Sequence, residues 1–132
     1  MTRLVIGPDV ALRLARERAS ISGGTKLLAP TLLRSEVLSR LYRDVAAGAM
    51  SKSDAVGALD VLRKLRIRLL GDRVLQSEAW KIAEARGWPD TMTAEYIALT
   101  RLQADAFVTL DKALARQVKG TVAVVPYKQL LA

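Results

Sequence analysis

The stretch DTMTAEYIALTRLQADAFVTLD, running from Asp90 to Asp111, decides the fold. In its first half Ala94, Ile97, Ala98 and Leu102 recur at helical spacing, which predicts a helix. Its second half, AFVTL from Ala106 to Leu110, is an apolar run short enough for a strand. Asp111 follows that strand directly and opens a further helix, DKALARQV, through Val118. Gly120 breaks this helix, Thr121 to Val125 (TVAVV) reads as a last strand, and Tyr127 to Leu131 as a final helical turn.

The same alternation extends toward the amino terminus. Arg3 to Ile6 (RLVI) is a strand stopped by Gly7-Pro8, and Asp9 to Arg18 a helix with Val10, Leu12, Leu14 and Ala15 on its apolar side. Leu27 to Ala29 is a second strand closed by Pro30. Thr31 opens a long helix to about Ala47, striped by Leu33, Val37, Leu38, Leu41 and Val45. Ser51 is the N-cap of a third helix running to about Leu65, with Asp54 completing a weak capping box. Ile67 to Leu70 (IRLL) is a third strand, and Asp72 caps a fourth helix through Arg86. Gly87 to Thr91 is a loop. Short apolar strands alternating with helices predict an α/β domain of three layers, with a mostly parallel central sheet of about five short strands covered by helices on both faces. The whole chain, residues 1–132, reads as one such domain, without repeats or linkers.

Composition narrows the chemistry. The 132 residues include no Cys and no His, so thiol nucleophiles, disulfides, Ser-His-Asp arrangements and His-ligated metals are excluded. Carboxylates, Lys, Arg, Tyr and hydroxyls remain, and a metal site would use oxygen ligands, which suits Mg²⁺ or Mn²⁺. Lys and Arg number 21 against 13 Asp and Glu, a formal charge of +8, which favours polyanions or acidic partners. No apolar run approaches the length of a membrane span, no secretory signal is visible, and the expectation is a cytoplasmic protein.

In parallel sheets, sites form beyond the carboxyl ends of the strands. Three acids are placed for such a site: Asp9 after the first strand, Glu36 early in the helix after the second, and Asp111 after the fourth. Carboxylates gathered at one edge repel one another unless a divalent cation intervenes, which makes the three candidate metal ligands and catalytic groups. Each has another use as well. Asp9 and Asp111 are placed to cap helices, and Glu36 has Arg40 four residues on for a surface ion pair.

Four stretches carry a family resemblance: RLVIGPDVALRL, LLRSEVLSRLYR, the opening Asp90–Asp111 stretch, and VAVVP. Together they resemble PIN-domain proteins of the VapC type, the toxin half of bacterial toxin–antitoxin pairs, and the likeness spans essentially the whole chain. It implies metal-dependent cleavage of RNA by about four acidic residues holding Mg²⁺ or Mn²⁺. Glu36 and Asp111 match two of those acidic positions, and Thr109 matches a hydroxyl position near the end of the strand. The other two acidic positions hold Gly7 and Thr93 instead. The expectation is therefore reduced or lost nuclease activity, the alternative being an inactive domain kept as an RNA- or protein-binding module.

Asp9, two residues past Gly7, and Asp90, in the loop before Thr93, are the acids placed to compensate. Glu95 stands about 200° around the helix from Thr93 and is expected to face away. Arg13, Arg34, Arg40, Arg43 and Arg116 are candidate contacts for RNA or a partner, with Thr109 beside them. The run RKLRIR, Arg63 to Arg68, reads first as a solvated helix face entering a strand. Trp80 and Trp88 are expected in the core or at a subunit interface. The resemblance also implies a homodimer and an antitoxin-type partner protein.

Overall fold

A computed structural model describes all of residues 1–132. Four strands form one parallel sheet: β1 (Thr2–Ile6), β2 (Thr25–Pro30), β3 (Arg68–Leu70) and β4 (Ala106–Val108), in the order β3-β2-β1-β4. Six helices connect them: α1 (Pro8–Glu17), α2 (Leu33–Ala46), α3 (Lys52–Lys64), α4 (Arg73–Arg86), α5 (Met92–Gln103) and α6 (Lys112–Val118). A 3₁₀ turn at Tyr127–Leu130 ends the chain. Helices α1, α2 and α3 pack on one another, while α4 packs on α5, which lies against β1, β2 and β4. The result is the α/β architecture, with a parallel sheet between helices, that the alternation predicts.

The core follows from the apolar runs. Leu4, Val5 and Ile6 of β1 and all three residues of β4 are buried. A strand covered on both faces loses the alternation of apolar and polar residues, and these do. Helix α5 behaves the same way: Ala94 and every residue from Tyr96 to Thr100 are buried, so it is enclosed on most of its circumference. Three caps fall where the sequence places them. Ser51 Oγ accepts from Asp54 N at 3.0 Å, Asp72 Oδ1 from Leu75 N at 2.9 Å and Asp111 Oδ1 from Leu114 N at 3.0 Å.

Three expectations change. The last strand is absent: Thr121 to Val125 touches β4 only by an isolated bridge between Phe107 and Val124. Phe107 N donates to Ala123 O and Val125 N donates to Phe107 O, and then Pro126, which has no N–H, ends the pairing. β4 is itself only three residues long and offers no longer template. β2, by contrast, begins two residues earlier than its apolar run, because Thr25 and Lys26 pair with Thr2 and Arg3 of β1. The long helix begins at Leu33 and not Thr31, since Thr31 N is still bonded to Leu70 O at the sheet. No helix is long and apolar enough to cross a membrane.

Candidate functional site

The strand order puts β1 between β2 and β4, so the segments that follow these three strands share one edge of the sheet. Asp9 lies in the first turn of α1, immediately past β1. One of its oxygens, Oδ1, accepts from Val10 N at 2.8 Å. The other, Oδ2, crosses to the end of β4, accepting from Leu110 N at 2.9 Å and from the Thr109 hydroxyl at 3.2 Å. Thr109 Oγ1 in turn accepts from Asp111 N at 3.1 Å. Asp9 therefore does not cap α1 in the usual manner; it joins the carboxyl ends of β1 and β4.

Gly7 explains how Asp9 reaches across. Its backbone is extended, with φ −80° and ψ 171°, so the conformation does not call for glycine. The space does. A Cβ at this position would stand 2.8 Å from Asp9 Oδ1 and 3.8 Å from Phe107 Cζ. The Asp9 carboxylate thus fills the room that a side chain at residue 7 would use.

Glu36 occupies the first turn of α2 and accepts from the Tyr96 hydroxyl at 2.7 Å. Tyr96 is buried on α5, its ring centroid 6.4 Å from that of Phe107. Two groups of contacts thus lie along the carboxyl edge, Glu36 with Tyr96 and Phe107, and Asp9 with Thr109 and Asp111. Burial, and then the bond to Glu36, push the Tyr96 phenol far above its ordinary pKa, so it stays a proton donor. Glu95 is also held above the usual carboxylate range, first by burial and then by the negative charge of Glu36.

The remaining candidates separate. Asp90 is exposed and accepts from Met92 N at 3.1 Å, ordering the loop before α5. Thr93 is half-buried on α5. Arg40 is half-buried and near enough to Tyr96 for its charge to act on the phenol, whereas Arg34 and Arg43 are exposed on the same helix. Arg13 is taken up elsewhere: it pairs with Glu17 at 3.0 Å and lies 4.1 Å from the ring centroid of Tyr127. Arg116 lines a cavity of about 710 Å³ with Lys119 and Thr121, beyond the far end of α6. Trp88 packs against the core, but Trp80 is 66% exposed, which leaves only the interface half of its expectation. The sequence reading missed Tyr96 because an apolar helix position carries no sign of what its hydroxyl meets.

Considered as metal ligands, these acids share an edge without closing on a point. No group of three acidic side chains stands together as a metal cage.

No protein-family model matches the chain, and no curated protein does. Among solved structures, the chain is similar to the crystal structure of PAE2754 from Pyrobaculum aerophilum. The TM-score is 0.71 and the sequence identity 17%, over 96% of this chain and 90% of that one. At that identity the likeness is one of fold, and it extends over nearly the full length of both chains.

Proposed function

We propose that this chain is a PIN-type domain resembling VapC ribonucleases, acting on RNA in the cytoplasm with reduced activity. The observation that carries the reading is the placement of Asp9. Two acidic positions of the resembled pattern are filled by Gly7 and Thr93, yet the Asp9 carboxylate occupies the space beside Gly7 and reaches the end of β4. Glu36, Asp9 and Asp111 are the residues that would hold Mg²⁺ or Mn²⁺, with Asp90 at the rim. A divalent ion bound there would polarise a phosphate and lower the pKa of an attacking water.

The chain's own groups account for the rest. Tyr96 fixes the rotamer of Glu36 through its hydroxyl, and Thr109 ties Asp9 to the start of α6. Arg40 and Arg43 lie within about 40° of Glu36 around α2 and would meet phosphates at the same edge, while Arg34 stands about 160° away. A homodimer and an antitoxin-type partner belong to the same proposal, with exposed Trp80 as a candidate contact.

The test is cleavage of a labelled single-stranded RNA in Mn²⁺. Wild type should cleave slowly, Glu36→Gln and Asp111→Asn should lower the rate at least about tenfold, and the Thr93→Asp variant should raise it. Cleavage that none of these substitutions changes would exclude this edge as the site. A second reading, an inactive binding module, is favoured by one observation: Gly7 and Thr93 stand at two of the four acidic positions of the resembled pattern. It predicts no cleavage by wild type under any divalent ion, with RNA or protein binding retained.

A further inference from the structure

The opposite end of the sheet carries a different kind of surface. A groove of about 420 Å³ opens at the amino ends of the strands, lined by Arg3, Lys26, Arg66 and Arg68 together with Leu65 and Gln103 among others. No acidic residue lines it. Arg3 and Lys26 are register partners on β1 and β2, and Arg68 on β3 is the partner of Leu28, two residues beyond Lys26. Register partners, and residues two apart on one strand, share a face of a sheet. Three cations on three neighbouring strands therefore project from the same face.

None of the four cations has a carboxylate partner. The ion pairs of the molecule involve Arg13, Arg63 and Arg101 instead. The Asp105 carboxylate, at the foot of β4, is taken by the backbone N–H of Arg3 at 2.8 Å. Arg66 joins the groove through a left-handed turn, φ 54°, that redirects the chain from α3 into β3. Part of RKLRIR is thus a wall of this groove, whereas Arg63 and Lys64 are exposed residues of α3, Arg63 paired with Asp60.

We propose that this groove is a docking site for the phosphodiester backbone of a single-stranded nucleic acid, separate from the carboxyl edge. Unpaired cations set side by side repel one another, and a polyanion relieves that repulsion while releasing its own counterions. Three of the four are arginines, whose planar fork matches phosphate oxygens. The lining offers no aromatic ring for base stacking, so recognition is of the backbone and indifferent to sequence. The proposal does not require the acids of the other edge to be catalytic.

The test is binding of a fluorescein-labelled, mixed-sequence 20-nucleotide RNA by anisotropy, in EDTA to silence any cleavage, across a salt series. Lys26→Glu/Arg68→Glu should weaken binding about tenfold or more at low salt and flatten the log K against log [salt] slope by about 1.4. Arg73→Glu/Lys81→Glu, an equal change of charge on α4, should weaken it no more than about twofold. Far-UV circular dichroism checks folding. The neutral single variants Lys26→Gln and Arg68→Gln should each show a graded loss of about twofold to threefold should the double variant fail to fold. Equal losses in the groove and control pairs would overturn the proposal, as would an unbound wild type. So would a poly-glutamate peptide that competes as well as the RNA, since the groove would then be a protein site. Loss of cleavage in the carboxyl-edge variants with binding intact would leave this proposal standing.

Discussion

At the scale of single residues, Gly7 and Asp9 are coupled by space. Gly7→Ala puts a Cβ 2.8 Å from Asp9 Oδ1, so the carboxylate must swing and release Leu110 N and Thr109. The expected cost is about 1–2 kcal/mol, read as a lower urea midpoint at unchanged m-value, while an unshifted midpoint would mean the carboxylate is not held there. Tyr96→Phe should cost about 1.5–3 kcal/mol by the same measurement, because it removes a bond to a charged group at the end of a buried side chain. Tyr127 and Glu17 form a second linked pair, at 2.8 Å. The Tyr127 hydroxyl bond, followed by Arg13, holds Glu17 below the usual carboxylate range, and burial followed by the bond to Glu17 pushes Tyr127 up to about 12. A depressed carboxylate stabilises the fold above its unfolded pKa and loses that contribution as pH falls through the folded one. A raised phenol stabilises below its unfolded pKa and loses its contribution as pH rises toward 12. Melting temperature against pH should therefore fall less steeply in Glu17→Gln on the acid side and in Tyr127→Phe on the alkaline side. Parallel curves for wild type and both variants would contradict the linkage.

At the scale of elements, legibility tracked what each segment depends on. The helices after Ser51, Asp72 and Asp111 were readable because a cap and its first turn are local chemistry. Ser51→Ala should lower stability by about 1 kcal/mol in chemical denaturation, and no change would mean α3 is set by its packing alone. The extent of strands was less readable, because a partner decides it. β2 gains Thr25 and Lys26 from pairing with β1, while Thr121 to Val125 finds only one residue of β4 to bridge. Helix α5 shows a third case. Its near-continuous burial hides Tyr96 among apolar neighbours, so the residue that holds Glu36 looked like packing.

At the scale of the whole molecule, parallel strands separate two ends of opposite character. Carboxylates gather where β1, β2 and β4 end, and unpaired cations gather where β1, β2 and β3 begin. The sequence could place Asp9, Glu36 and Asp111 beyond their strands, but their shared edge depends on the order β3-β2-β1-β4, which local patterning does not contain. The formal charge of +8 pointed to a polyanion without locating it. Calorimetric titration with Mn²⁺ examines the acidic edge most directly. The predicted result is a single weak site in the wild type, lost in Asp9→Asn and tightened in Thr93→Asp. A wild type that takes up no Mn²⁺ while fully folded, or an Asp9→Asn variant that binds it unchanged, would contradict the account.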